Sequence, residues 1–145
     1  MNTRPIKYEL SQRSRGVVYG GVALLHRLAE DVGLVKAINN NVPLLKFWLP
    51  YSEADHVLNF AFNGLCEGTC LEDIELRRND EAFLDALGAE TIPDPTTAGD
   101  FCRRFTKTSV RRLLDAINEA RLNVWGRQED EFFTSVPCST RTARW

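Results

Sequence analysis

The clearest helix signal in the chain lies in residues 52–65, which read SEADHVLNFAFNGL. Ser52, with Asp55 three residues later, has the spacing of a capping box, in which two side chains satisfy backbone N–H groups at the start of a helix. The apolar residues that follow repeat with the period of one helix face: Val57, Leu58, Ala61, Phe62 and Leu65. Gly64 and Gly68 are residues of the kind that end helices. The pattern predicts a helix that begins after Ser52 and buries this apolar stripe.

Helical patterns continue on both sides of this segment. Six further helices are predicted, over residues 20–31, 34–40, 71–78, 80–87, 95–105 and from about 109 to 125. The buried face of the last helix is expected to consist of Val110, Leu113, Leu114, Ile117 and Val124. No stretch before residue 130 alternates as a strand does. The sequence therefore predicts an all-α fold that contains a helix–turn–helix-like unit and ends in an irregular C-terminal tail.

The composition of the 145 residues is that of a globular protein, with 43% hydrophobic and 26% charged residues. A formal net charge of −2 gives no general attraction to nucleic acid or to a membrane. The charge is unevenly distributed, however. Residues 71–100 hold nine acidic and two basic residues, and residues 101–145 hold nine basic and five acidic residues. An acidic block followed by a basic block indicates two faces with different roles.

Cysteine content and hydropathy restrict the compartment. The four cysteines, Cys66, Cys70, Cys102 and Cys138, are too few for a disulfide scaffold, and Cys66 and Cys70 are expected to be small buried residues. No segment reaches the ~20 consecutive apolar residues of a membrane-spanning helix. We therefore expect a protein of the reducing cytoplasm.

The strongest candidate for a binding site lies around the connection at residues 88–95. The helices predicted on either side of it, over 80–87 and 95–105, form the helix–turn–helix-like unit. A recognition helix needs small polar side chains near base edges and cationic side chains near phosphates. The residues expected to contact DNA are Thr96, Thr97, Arg103, Arg104, Lys107, Arg111 and Arg112. The alternative interpretation is a solvated basic face that balances the acidic block, with the threonines acting only as a helix cap.

No catalytic or metal-binding constellation is recognisable in the sequence. His26 and His56 lack the neighbours of a catalytic triad and are expected at the boundary of the core. The carboxylates of the acidic block are spread around two short helices and indicate a solvated face: Glu72, Asp73, Glu75, Asp80, Glu81 and Asp85. No glycine-rich phosphate loop is present. No catalytic residue, metal ligand or cofactor is therefore predicted for this chain.

The segment 72–105 resembles the N-terminal region of bacterial insertion-sequence transposases of the DDE type. In those proteins an Asp-containing helix leads to a Leu-Arg-x-x-Asp-x-x-Phe segment that ends in Leu-Gly, and a Pro-(Ser/Thr)-Thr start then opens a helix with a Phe and basic residues. The matching residues here are Asp73, Leu76, Arg77, Asp80, Phe83, Leu87, Gly88, Pro95, Thr96, Thr97 and Phe101. With the glycine–leucine pattern of the first helix, the resemblance covers most of residues 15–133.

The resemblance implies a helical region that precedes an RNase H-like core, whose Asp, Asp and Glu bind two divalent metal ions for phosphoryl transfer. The sequence after Phe133 reads TSVPCSTRTARW, with no acidic residue after Glu131. The catalytic residues of the family therefore have no counterpart here, and Mg²⁺ is expected only for the missing core. We expect a truncated, catalytically inactive transposase fragment whose tail arises from a frameshift or a premature stop. Its implied partner is double-stranded DNA of the transposon terminal inverted repeats, with no membrane and no small-molecule substrate.

The expected organisation is a basic arm over residues 1–18, a helical DNA-binding and assembly domain over 19–127, and a truncated connector with a disordered tail over 128–145. A second hypothesis is a helical protein–protein module that binds no DNA, whose acidic and basic blocks pair between subunits of a homodimer. A third is a small helix–turn–helix regulator. Retained DNA binding separates the first and third hypotheses from the second.

Overall fold

A computed structural model describes residues 16, 18–46, 50–129 and 131–132. Within these residues the chain forms seven helices and no strand, which confirms the all-α fold. In chain order the helices are α1 (Gly21–Asp31), α2 (Leu34–Asn41), α3 (Glu53–Leu65), α4 (Ile74–Arg78), α5 (Glu81–Leu87), α6 (Pro95–Arg103) and α7 (Lys107–Trp125). Nearly all of the predicted basic arm, and the predicted tail from residue 133, lie outside the described residues. None of the helices in the described ranges combines the length and the apolarity that crossing a membrane requires.

Two clusters of buried side chains form the core, and α3 contributes to both. The first cluster consists of Val22, Ala29, Leu58, Phe62, Cys66, Ile74, Phe83, Ile92 and Ala98. The second consists of Ala37, Ile38, Val42, Ala54 and Ala116. The first lies between α1, α3, α4, α5 and α6, and the second lies where α2 meets α3 and α7. The central helix is therefore the one with the strongest sequence signal.

The start of α3 has the predicted capping box. The Ser52 N–H donates to Asp55 Oδ2 at 2.7 Å, and the Asp55 N–H donates to Ser52 Oγ at 3.3 Å. The predicted apolar stripe is only partly correct, because Ala61 and Leu65 are exposed. The reason is that polar residues occupy much of the buried side of α3. We call this set the polar row of α3, and its members are Glu53, His56, Asn59 and Asn63.

Glu53 joins the segment after α2 to the first turn of α3. Its side chain is fully buried, and Oε1 accepts hydrogen bonds from the backbone N–H groups of Leu44 and Leu45 at 3.0 and 2.9 Å. In the opposite direction, the Ala54 N–H donates to Asn39 Oδ1 at 2.9 Å. Backbone N–H groups that burial removes from water need such partners. The junction between α2 and α3 is therefore held by two reciprocal side-chain contacts.

The two asparagines of the polar row hold two other loops. Asn59 Nδ2 donates to the carbonyl of Pro93, in the α5–α6 connection, at 3.0 Å. Asn63 Nδ2 donates to the carbonyl of Cys70, between α3 and α4, at 2.9 Å. Together with Glu53, these side chains connect α3 to three separate loops.

A buried arginine connects α4 to the end of α3. The guanidinium of Arg77 donates to the carbonyls of Cys66 and of Asp73, and it lies 5.3 Å from the centre of the Tyr19 ring. Cys66 is buried as predicted, but the prediction was wrong for Cys70, which is exposed. Cys70 lies at the surface because its loop is held to α3 through its backbone carbonyl.

The predicted buried face of α7 is wrong. The buried residues of this helix are Ser109, Ala116 and Ala120. Of the predicted set, Val110, Leu114 and Ile117 are exposed, and Leu113 and Val124 are half-buried. The reason is that α7 packs along α2, and small side chains at such a contact allow two helix backbones to approach closely. Val110, Leu114 and Ile117 are therefore turned away from α2, whereas Leu113 packs against the second cluster.

The far end of α7 reaches the end of α1. Asn123 Nδ2 donates to the carbonyl of Val32 at 2.9 Å, and Arg127 Nη2 donates to the carbonyl of Asp31 at 2.6 Å. These carbonyls belong to the C-terminal end of α1, where helix carbonyls lack partners within the helix. Gly33 follows with a positive φ of 80° and opens α2. Residues close to both ends of the described chain therefore meet at this junction.

His56 lies in the core, whereas the sequence predicted a position at its boundary. Its ring stacks on Phe101 at a centroid distance of 4.4 Å and meets the Tyr51 ring edge-on at 5.9 Å. Burial lowers the pKa of His56 below the usual histidine value of 6.5. His26 is half-buried, with its ring edge-on to Phe62 at 5.8 Å. The stack of His56 on Phe101 joins α3 to α6.

We predict that Glu53→Ala lowers the free energy of unfolding by about 2 to 4 kcal/mol, because it leaves two backbone donors without an acceptor. Glu53→Gln should lose less, since it keeps one side-chain oxygen. Urea denaturation followed by circular dichroism measures both changes. Glu90→Ala removes an exposed carboxylate and should change stability by less than about 0.5 kcal/mol. Equal losses in Glu53→Ala and Glu90→Ala would refute the anchoring role of Glu53.

We predict that the fold loses stability in acid partly through His56. Since the pKa of His56 is lowered in the folded protein, the unfolded chain binds the proton first. The stability is therefore fully present above pH 6.5 and falls as the pH decreases from that value toward the lowered pKa. Thermal midpoints measured from pH 8 to pH 5 should show this slope in the wild type and in His26→Gln, and a weaker slope in His56→Phe. The same slope in wild type and His56→Phe would contradict the prediction.

Candidate nucleic-acid interface

The two helices of the predicted helix–turn–helix-like unit are present, as α5 and α6. α5 ends at Gly88, whose φ of +67° is the left-handed conformation that favours glycine. Residues 88–94 then connect it to α6. The Tyr51 hydroxyl donates to the Ile92 carbonyl at 3.1 Å, next to the bond from Asn59 to Pro93. α5 packs on α1 and α4, whereas α6 packs on α3. The connection between α5 and α6 is held by Tyr51, just before α3, and by Asn59 within it.

The first turn of α6 is capped by Asp94, which the sequence analysis did not identify. Asp94 Oδ1 accepts from the backbone N–H groups of Thr96 and Thr97 at 2.9 and 3.0 Å, and Oδ2 accepts from the Thr97 hydroxyl at 2.6 Å. The Thr97 hydroxyl and these N–H groups hold the pKa of Asp94 below its usual value. The alternative in which the threonines themselves cap the helix is therefore wrong. The sequence signal that could have identified Asp94 as the cap is Pro95, because proline favours the first helical position, directly after the N-cap.

The two threonines differ in their availability to a ligand. The Thr97 hydroxyl already donates to Asp94 and its side chain is half-buried, whereas Thr96 is exposed. The carboxylate of Asp94 also places negative charge at the start of α6, where a phosphate would otherwise be favoured. Of the two predicted base-contacting residues, the geometry leaves Thr96 the more accessible.

The five predicted phosphate-contacting residues all lie at the surface. They are Arg103, Arg104, Lys107, Arg111 and Arg112. α6 and α7 are separated by residues 104–106, and Thr106 caps α7 in a box with Ser109, with bonds of 2.7 and 3.2 Å between backbone N–H and hydroxyl groups. The short turn places basic residues from the end of one helix beside those at the start of the next.

The basic residues of α7 do not share one face. Consecutive residues of an α-helix are rotated by about 100°, and residues four apart lie on the same side. Lys107 and Arg111 therefore project together, with Asp115 one turn further along the same side, while Arg112 turns toward the side that carries Glu119. Arg111 thus has a second cation of α7, Lys107, on its own side, whereas Arg112 has none.

Two hollows adjoin these elements. A cavity of about 460 Å³ lies against the α5–α6 connection, between Tyr51, Asn59 and Thr91. A smaller apolar hollow of about 350 Å³ lies between α3, α6 and α7, against Phe60 and Phe105. Neither was predicted, because each is formed by residues from separate helices whose relative positions the sequence pattern does not give.

Two carboxylates of the acidic block, Asp73 and Asp80, cap backbone groups. Asp73 Oδ2 accepts from the N–H groups of Thr69 and Cys70 at 2.7 and 3.1 Å, and these bonds hold the pKa of Asp73 below its usual value. Asp80 Oδ1 accepts from the N–H groups of Ala82 and Phe83 at 3.0 and 3.1 Å, at the start of α5. Within the described residues, no group of three or more His, Cys, Asp or Glu side chains could hold a metal ion.

The residues that carry the transposase resemblance determine the fold locally. Arg77 joins α4 to the end of α3, Asp80 caps α5, and Gly88 ends it. Phe83 and Phe101 are buried in the core. The residues of this pattern therefore account for how the segment folds.

We predict that Asp94→Ala costs about 1 kcal/mol of stability, the usual contribution of a helix N-cap. Thr96→Ala is the matched control and should change stability by less than about 0.5 kcal/mol, because only its backbone contacts the cap. Because the pKa of Asp94 is lowered, its contribution is present at neutral pH and is lost as the pH falls through that lowered pKa. Urea denaturation at pH 7 compares the two variants, and a larger loss in Thr96→Ala would contradict the assignment.

Comparisons with known proteins found no match to this chain. The chain matches no family model, no curated protein and no solved structure. The resemblance to insertion-sequence transposases therefore depends on the sequence pattern alone.

Proposed function

We propose that this chain is the helical N-terminal region of an insertion-sequence transposase and that it binds double-stranded DNA of the transposon terminal inverted repeats. In this proposal the chain acts in the cytoplasm, and its role in DNA transposition and recombination is to bind DNA. The three cysteines of the described residues, which are free thiols, are compatible with a reducing compartment.

The observation that carries the proposal is the exposed basic surface around residues 103–112. Among the described residues, Arg103 is the one member of this surface with an ion-pair partner, the exposed Asp100. Arginine and lysine side chains that are not held in strong internal pairs are available for phosphate oxygens. This surface lies on two helices of a folded scaffold, so binding would not require these side chains to leave the core.

The local geometry also supports a groove-binding unit. In the helix–turn–helix-like unit, α6 is the second helix, which is the one that enters the groove in such units. Thr96, at the start of α6, is the proposed contact to base edges, and the basic surface at its other end is the proposed contact to phosphates. Arg103, Arg104, Lys107 and Arg111 are the principal phosphate contacts in this proposal. Arg112 is a weaker one because it shares its side of α7 with Glu119 and with no second cation.

We predict that the full chain binds a duplex containing a terminal repeat with strong salt dependence. Each phosphate contact contributes about −0.9 to the slope of log K against log salt. Arg103→Ala with Arg104→Ala should therefore flatten the slope by up to about 2, measured by fluorescence anisotropy at several salt concentrations. Thr96→Ala should relax sequence preference and leave the slope unchanged.

Arg111→Ala and Arg112→Ala form a matched pair for the same measurement. They remove the same side chain from adjacent positions, and we expect the slope to change by about 0.9 in the first and by much less in the second. Unchanged affinity in the Arg103/Arg104 double variant would refute the proposal. It would then favour the hypothesis of a protein–protein module that binds no DNA.

A further inference from the structure

The cavity of about 460 Å³ beside the α5–α6 connection is surrounded by α1, α3 and α5. Residues just before α3 and residues after α5 complete its wall. Its floor is apolar, and the side chains there belong to the first core cluster or pack against it: Leu58, Phe62, Phe83, Leu87 and Ile92. A concave and mostly apolar space of about 300 to 1,000 Å³ is the usual form of a small-molecule site.

Two hydrogen bonds fix the loop wall of this cavity to the side formed by α3. The Tyr51 hydroxyl donates to the Ile92 carbonyl at 3.1 Å, and Asn59 Nδ2 donates to the Pro93 carbonyl at 3.0 Å. All four residues line the cavity. Because this wall is already ordered, a ligand does not have to immobilise it, which lowers the entropic cost of binding.

The charged groups around the cavity favour a cation. Asp55 and Glu90 line it and are both exposed, so their negative charge lies at the opening and not in the floor. The bonds of Asp55 to Ser52 in the capping box leave its charge in place. Within the described part of the chain, no lysine or arginine lines the cavity, and its one histidine, His26, lies 3.9 Å from Glu30. The cavity therefore combines an apolar floor with an acidic opening.

We propose that this cavity binds a small organic amine in its protonated form, with an aromatic or aliphatic body. The body packs on the apolar floor, and the ammonium group lies toward the carboxylates of Asp55 and Glu90. Burial of the body supplies most of the affinity, and the complementary charge selects the ammonium over a neutral or anionic group. This inference does not depend on the proposed DNA binding, because none of the residues proposed to contact DNA lines the cavity.

The test compares three probes that share an indole body and differ in charge at neutral pH: tryptamine is cationic, tryptophol is neutral and indole-3-propionate is anionic. Each is titrated into the full chain, and amide chemical shifts are followed by NMR. Tryptamine should bind with a dissociation constant below about 1 mM and shift the amides of residues 87–92 and 55–62. Tryptophol should bind about 5- to 10-fold more weakly, and indole-3-propionate more weakly still. No saturable shift with tryptamine up to about 10 mM, or equal affinity for tryptophol, would overturn the inference.

A matched pair of variants tests the acidic opening. Glu90→Gln removes one of its two carboxylates and should weaken tryptamine binding about 3- to 5-fold, with tryptophol binding unchanged. Glu72→Gln removes an exposed carboxylate of the acidic block outside the cavity lining and should change neither affinity. Equal losses of tryptamine affinity in Glu90→Gln and Glu72→Gln would contradict the inference.

A second pair tests the cavity itself. Ala89→Phe places a phenyl ring in the cavity lining and should weaken tryptamine binding at least about 10-fold, because the ring takes up space that the ligand needs. Ala61→Phe places the same ring at an exposed position of α3 outside the lining and should have no effect. Circular dichroism checks that both variants keep their helices. Full tryptamine affinity in folded Ala89→Phe would overturn the inference. Because these measurements contain no DNA, their failure is distinguishable from failure of the proposed function, which the salt dependence of duplex binding tests separately.

Discussion

The buried polar row of α3 is the interaction on which the rest of the described fold depends. Hydrophobic packing positions helices approximately, but it does not satisfy the backbone groups of the loops between them. Glu53 accepts two N–H groups of the loop that follows α2, and Asn59 and Asn63 donate to carbonyls of two later loops. Since an unpaired buried polar group is costly, each bond selects one path for its loop. One helix thereby defines three connections.

This arrangement also positions the proposed DNA-binding surface. The carbonyls of Ile92 and Pro93 are held by Tyr51 and Asn59, so α6 begins at a fixed distance from α3. At the other end of α6, Phe101 stacks on His56 and meets the Phe105 ring edge-on at 5.3 Å. The basic residues that follow are therefore presented by a helix fixed at both ends. Their exposure results from the same contacts that bury the aromatic residues.

The sequence predicts the positions of the helices far better than it predicts which face of each helix is buried. Helix positions follow local signals, such as the Ser52–Asp55 capping box and Gly88, and all seven helices were anticipated in the described part of the chain. The buried side of α7 depends on its partner: Ala116 and Ala120 face α2 because small residues allow close packing, so the stripe with the larger hydrophobic side chains remains outside. The candidate site follows the same rule. The sequence shows that its basic residues form a cluster. It does not show that Asp94 caps α6 or that Arg111 and Arg112 project to different sides of α7, because both depend on helix geometry.

The packing of α2 against α7 has a consequence for how the chain is made. These helices lie far apart in sequence, and the bond from Asn123 to the Val32 carbonyl spans 91 residues. A ribosome that adds about 5 to 20 residues per second needs roughly 4 to 16 s to proceed from the end of α2 to the last turns of α7. During that interval Ala37 and Ile38 have α1 and then α3 as neighbours, but the helix that covers their remaining side has not been synthesised. The second cluster of the core is therefore completed last, and a nascent chain presents this uncovered apolar side of α2 to chaperones for seconds.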